Sequence, residues 1–145
     1  MMSARERAVF YLSRYARTER QVENYLKRKG FPAEEIRDAL LYLREHSYLN
    51  DDSYATSFIE SRIRRGDGPL KIKQMLFTKG ISADQSDALL KNLYPEETQI
   101  ERLNDLIQKH QGKGRERLQR FLASRGFPRY AIFRAFSTAK PKRNE

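Results

Sequence analysis

The chain has no cysteine, so neither a disulfide nor a thiolate zinc cluster can staple its 145 residues together. No segment approaches the roughly 20 apolar residues that a membrane helix needs, and the N-terminus lacks the apolar core of a signal peptide. A soluble cytoplasmic protein without a membrane partner is the expectation. No run alternates with period two for long enough to make a strand. Histidine is scarce: His46 and His110 stand alone, short of the three or four ligands in register that a metal requires. Gly66-Asp67-Gly68 lacks the Lys-Ser/Thr ending of a phosphate loop, and no strand precedes it. The adjacent acids Asp51 and Asp52 suit a helix start, as N-caps and dipole partners, better than a metal or acid pair. No catalytic, cofactor-binding or metal-binding residue is therefore expected, and the chain does not read as an enzyme.

Apolar content is low as well. Mean hydropathy is −0.83 and 33% of residues are charged, which argues against one thick core. A thin core shared between helical layers fits this composition better. The charge is strongly one-sided, at +10, and uneven along the chain. Residues 111–145 carry ten Lys and Arg against two acids, and residues 1–30 carry eight against three. Between them, residues 84–107 carry six acids against two bases. Basic ends flanking an acidic band favour a polyanionic partner such as DNA or RNA.

What recurs is a turn. Lys29-Gly30-Phe31-Pro32 returns as Lys79-Gly80-Ile81-Ser82 and again as Arg125-Gly126-Phe127-Pro128. Each copy places a cation in a last helical turn, then Gly, an apolar residue and a helix-starting residue. Glycine supplies the left-handed backbone that ends a helix, and the cation suits the negative end of the helix dipole. Pro32 is expected at the first position of the next helix. A spacing near 48 residues marks a repeat protein.

Helical stripes fill the intervals. Ala4, Ala8, Tyr11, Leu12 and Tyr15 make one, and Thr18 with Gln21 forms a capping box before Val22, Tyr25 and Leu26. Ile36, Ala39, Leu40 and Leu43 follow Pro32. The second unit opens at Asn50-Asp51-Asp52, continues through Tyr54, Phe58 and Ile59, breaks at Arg64–Pro69 and resumes with Ile72, Met75 and Leu76. Ser82 and Gln85 form a second capping box, and Tyr94-Pro95 closes the unit. Ile100, Leu103, Leu106 and Ile107 start the third, in which Leu118, Phe121 and Leu122 repeat Val22, Tyr25 and Leu26. Ile132, Ala135 and Phe136 repeat Ile36, Ala39 and Leu40. Ser86 breaks this pattern where an apolar residue is due, and a small shift of its helix would account for it. The Tyr and Phe residues are read mostly as packing residues. The Gly-bearing segments 66–68 and 110–114 are candidate hinges. The expected architecture is all-α: three tandem three-helix repeats at 1–48, 49–95 and 96–140, followed by a basic tail at 141–145.

The middle of the chain carries a longer signature. Tyr48-Leu49-Asn50-Asp51-Asp52-Ser53-Tyr54-Ala55, Phe58-Ile59-Glu60-Ser61-Arg62, Gly66-Asp67-Gly68-Pro69 and Ile72-Lys73-Gln74-Met75-Leu76-Phe77-Thr78-Lys79-Gly80-Ile81 resemble the RecX regulatory proteins. The resemblance spans nearly the whole chain, strongest in the second unit and weakest at 94–113 and after Ser137. It implies an elongated, curved helical solenoid. It also implies a bacterial modulator that binds the RecA recombinase and its filament on single-stranded DNA and suppresses recombinase, ATPase and coprotease activity.

The residues themselves offer two cationic groups as candidate RecA or DNA contacts. Arg62, Arg64 and Arg65 precede the Gly-rich turn, and Lys71 and Lys73 follow it; folding of the turn would gather them into one patch. Arg115, Arg117, Arg120 and Arg125 form the second group on one helix, although Arg115 and Arg125 are not expected to share a face. Phosphate contact through Arg's planar fork is the functional reading. Bonds to acidic RecA residues and plain solubility remain alternatives. The chain is expected to act as a monomer, with direct nucleic-acid binding open. A sequence-specific, helix-turn-helix-like DNA-binding protein is the alternative function, and a pure scaffold is the bland one.

Overall fold

The computed structural model describes residues 1–138. Among them are nine α-helices and no strand: α1 (Ala4–Arg14), α2 (Glu19–Arg28), α3 (Ala33–Glu45), α4 (Asp51–Arg64), α5 (Pro69–Thr78), α6 (Ala83–Leu93), α7 (Glu96–Lys109), α8 (Arg115–Ser124) and α9 (Arg129–Thr138). The helices pack in threes, α1–α3, α4–α6 and α7–α9, giving an all-α helical repeat. The basic tail expected at 141–145 lies outside the described residues.

The recurring glycines end the second helix of each unit in a Schellman motif. Gly30, Gly80 and Gly126 have φ of +86°, +93° and +97°. Each donates its N–H to the carbonyl three residues back, at 3.0 Å. The apolar residue that follows reaches five residues back, Phe31 to Leu26, Ile81 to Leu76 and Phe127 to Leu122. That geometry explains why the turn reads cation–Gly–apolar. Gly66 ends α4 in the same way, with Asp67 donating to the Arg62 carbonyl at 3.0 Å. Here an acid and an arginine occupy the positions of the usual apolar pair.

Helix starts follow the sequence with three corrections, at Ser82, Asp51 and Pro32. Thr18 and Gln21 make the expected reciprocal box on α2. Ser82 caps Gln85, but the Gln85 amide goes to Asp52 Oδ1 at 2.6 Å, so only half of the second box forms. Of Asn50, Asp51 and Asp52, one of which was expected to cap α4, Asn50 is the N-cap, and the two acids sit in the first turn as dipole partners. Asp51 sits in that first turn and caps another helix, accepting from the Glu19 N–H of α2 at 2.9 Å. Pro32 lies one position earlier than expected, as the N-cap of α3, while Pro69 does hold the first position of α5.

Two cores form. The first unit buries Ala8, Val22, Leu26, Ala39 and Leu43 by itself. The second and third share one cluster, running from Ala55, Ile59 and Ile72 through Leu103 to Phe127 and Ala131. Ser86 belongs to neither. It is fully buried, and its N–H bonds the Ser82 carbonyl just as Ile36 bonds Pro32 and Ile132 bonds Pro128. The helix has not shifted; a serine fills an apolar site, and its hydroxyl has no partner. Ser86→Ala is expected to stabilise the chain by about 1 kcal/mol, because an unsatisfied buried hydroxyl is removed and helix propensity improves. Urea denaturation measures this directly.

Second helices also set the joints between units. From N-cap to glycine they are the same length: Thr18 to Gly30, Gly68 to Gly80, Gly114 to Gly126. The start of α2 abuts the end of α5: the Thr18 hydroxyl donates to the Lys79 carbonyl. A Cβ on Gly80 would lie 2.4 Å from the Arg20 Cβ. The start of α5 abuts the end of α8 in the same manner. Gly68 N–H donates to the Arg125 carbonyl at 2.7 Å, and Leu70 N–H to the Gly126 carbonyl at 2.9 Å. Amides left free at one helix's start thus meet carbonyls left free at another's end. The segment 66–68, expected as a hinge, is clamped here, with Asp67 and Gly68 buried.

Candidate nucleic-acid interface

The structure folds the Gly-rich turn as the sequence suggested, but it uses the gathered charge internally. Asp67 is buried and stands among three cations: Arg62 Nε at 2.7 Å, Lys71 Nζ at 3.3 Å and Arg125 Nη2 at 3.4 Å. Arg62 meets it as an ion pair rather than an aligned hydrogen bond. Arg125 also donates to the Arg65 carbonyl at 2.7 Å and the Gly66 carbonyl at 3.3 Å. Tyr94, buried against Phe127, donates its hydroxyl to the Asp67 carbonyl at 2.8 Å. Burial pushes the Tyr94 phenol well above its ordinary pKa. This cluster pins α4, α5 and the last turn of α8 to one carboxylate.

The nine candidate cations therefore divide. Arg62, Lys71 and Arg125 are held by Asp67, and Arg125 joins the first group rather than the α8 group in which it was placed. Lys73 pairs with Asp87 on α6 at 2.8 Å. Arg115 lies over the Phe136 ring, 4.9 Å from its centroid. Arg64 and Arg65 at the end of α4, and Arg117 and Arg120 on α8, are exposed, with no acidic partner among the described residues. Of the nine candidates, these four have neither a carboxylate nor a ring as an internal partner.

The role of Asp67 was not read from the sequence. A signal existed: it is the one acid among five cations between Arg62 and Lys73. The aromatic residues also differ from expectation. Phe10, Tyr15, Tyr48, Phe77, Tyr130 and Phe133 are exposed, and only Tyr94 and Phe127 are fully buried. Several exposed or half-buried rings carry a cation: Arg17 lies over Tyr11 and Tyr15, and Lys79 over Phe58. His46 Nδ1 donates to the Tyr42 carbonyl, and His110 packs on Phe121. Among the described residues there is no group of three His, Cys, Asp or Glu placed to hold a metal, and no helix is long and apolar enough to cross a membrane.

Comparison with known proteins places this architecture. Residues 4–43 match the family profile described as RecX, first three-helix domain, and residues 50–90 match RecX, second three-helix domain. The regulatory protein RecX of Vibrio vulnificus is 31% identical over 146 residues, covering 91% of this chain and 92% of that protein. That of Caldanaerobacter subterraneus subsp. tengcongensis is 31% identical over 126 residues, 86% of this chain and 64% of its own length. That of Lactococcus lactis subsp. cremoris is 43% identical over 96 residues, 65% of this chain and 36% of its own length. The chain thus spans less than two-thirds of the latter two relatives. The crystal structure of RecX from Lactobacillus salivarius superposes with a TM-score of 0.83 at 24% identity, over 92% of each chain. A second crystal structure, of regulatory protein RecX, gives 0.78 at 27% identity over 92% of this chain and 70% of that one. With tandem family domains across its first two units and a relative matched over about nine-tenths of both chains, the chain belongs to the RecX family of regulatory proteins.

Proposed function

We propose that the chain binds RecA and its filament on single-stranded DNA, as a cytoplasmic monomer, and restrains the recombinase, ATPase and coprotease activities. It does so as a binding protein rather than as an enzyme. Family membership supports this reading. The observation that carries it is the tandem array itself. Units joined by the same helix-end contact present unpaired cations on successive units, at Arg64 and Arg65 and again at Arg117 and Arg120. A target that repeats along a filament suits such a partner, and steering by exposed Arg favours encounter with phosphate or acidic protein surface.

The test is a titration of the chain into RecA hydrolysing ATP on single-stranded DNA. The rate is expected to fall by the time the two proteins are near stoichiometric. An unchanged rate at saturation, with binding to neither RecA nor the filament, sinks the proposal. The informative variant replaces Arg64, Arg65, Arg117 and Arg120 with Gln. It should inhibit more weakly while its helical circular dichroism stays unchanged. Arg62, Lys71 and Arg125 are unsuitable for this purpose, because losing them uncovers Asp67.

A further inference from the structure

The three units supply their own control for what a surface position ordinarily holds. The second and fifth residues after Pro32, Ser82 and Pro128 are equivalent, since each of these three carbonyls accepts the N–H four residues on. In the first unit these positions are Glu34 and Arg37, and in the second Asp84 and Asp87, all exposed. In the third they are Tyr130 and Phe133, exposed by 62% and 67%. Two solvent-facing charged positions have become two solvent-facing rings, one helical turn apart on α9. Packing does not explain them, because the buried face of α9 is Ala131, Ile132 and Ala135.

Beside these rings runs a groove of about 470 Å³ between α8 and α9. The buried Ile132 lines it together with the exposed Ala123, Arg120, Arg129 and Phe133. Arg120 and Arg129 have no acidic partner among the described residues. Glu116 is the one acid at the rim. The groove therefore combines one exposed ring, Phe133, with unneutralised guanidinium groups, and Tyr130 adds a second exposed ring one turn back on α9, outside the groove's own lining. A ligand that satisfies both needs planar rings and regularly spaced negative charge. An acidic peptide carries rings only at its own aromatic residues rather than one with every charge, and a duplex hides the faces of its bases. A single strand meets both, by stacking bases on rings while its phosphates meet arginines.

The geometry points to the α8–α9 groove and the exposed face of α9 beside it as a single-stranded nucleic-acid site, with phosphates held by Arg120 and Arg129, one base stacked on Phe133 at the groove and the next on Tyr130 just outside it. This inference rests on the proposed function for its biological setting, and it names the nucleic-acid contact within it. The site is separable, because it requires the chain to bind a free strand without RecA.

The experiment measures fluorescence anisotropy of labelled oligo(dT) with the full chain, across a range of salt concentrations. Tyr130→Ser with Phe133→Ser is expected to weaken binding by at least about tenfold, at an unchanged salt slope, since stacking carries no counterion term. Arg120→Gln with Arg129→Gln is expected to weaken binding and to flatten the slope of log affinity against log salt by about 0.7 per arginine removed. Both pairs are exposed, and circular dichroism confirms that the variants stay folded. Binding of oligo(dT) by the serine double variant at the unmodified affinity overturns the site. If that variant keeps oligo(dT) but loses RecA, the groove docks protein and the inference is likewise overturned. An unmodified chain that slows RecA yet binds no free oligo(dT) overturns this site and leaves the regulatory reading standing. Binding at the groove without any effect on RecA does the reverse.

Discussion

Asp67→Asn is expected to cost about 3 kcal/mol of stability, among the largest single-residue effects in the chain. The carboxylate is buried and stands within 2.7 to 3.4 Å of three cations. Removing one partner of a buried ion pair is far more costly than never having built it, because the remaining charge is left without compensation. Arg62 suffers most, being the least exposed of the three. Lys71 and Arg125 can turn partly to solvent, which holds the estimate at the low end of the usual range. Asp87→Asn is the matched control. It removes the partner of Lys73 in an exposed pair, and should cost less than about 1 kcal/mol. Urea denaturation of the two variants side by side tests the contrast. Equal losses would mean that the Asp67 cluster is only surface charge. Hydrogen exchange adds a location: protection should fall first in α5 and α8, whose ends the cluster ties together.

Gly68→Ala is expected to open the joint between the second and third units, at a cost of about 3 kcal/mol or more. A Cβ there would lie 2.3 Å from the Gly126 carbonyl carbon and 2.5 Å from the Phe127 nitrogen. Both are backbone atoms that no rotamer change can move. Gly126→Ala should be at least as severe. Its Cβ would approach Lys71 N to 2.6 Å, and its φ of +97° is strained for any L side chain. Gly30→Ala isolates the strain from the clash. It shares the left-handed φ, at +86°, but nothing lies within 4 Å of its Cβ position. Its cost should be about 1 kcal/mol. Thermal melts of the three variants rank them, and a Gly30→Ala as damaging as Gly126→Ala would refute the contact argument.

These contrasts show what the sequence made readable. The Schellman turns at Gly30, Gly80 and Gly126, the capping box at Thr18 and the stripes from Val22 to Ile132 are local, each specified by residues within five positions. Local chemistry of that kind needs no knowledge of the fold. The partnership of Asp67 with Arg125 spans nearly sixty residues, and the sequence placed Arg125 with Arg115, Arg117 and Arg120 because they are neighbours in the chain. The glycines of 66–68 have long-range and local reasons the sequence did not show: Gly68 allows close approach to Gly126, and Gly66 takes the left-handed φ that ends α4. Ser86 went astray in the opposite direction. The repeat correctly placed a buried position there, and only the reluctance to bury serine suggested a shift. Of the nine candidate cations, four remain open to a partner, since five have found a carboxylate or a ring inside the chain.

The equal lengths of the second helices carry a consequence for how such a chain can change. The two joints fix the two ends of α5, the start against Gly126 and the finish against Arg20. One residue inserted between them would turn the far end by about 100° about the helix axis. It would swing one neighbouring unit out of phase with the other. Insertions and deletions are thus excluded from α5 and accommodated more readily in open stretches such as Gly112–Gly114, where no neighbour crowds the backbone. Substitution can retune the faces of this array freely, but its pitch is counted in whole residues.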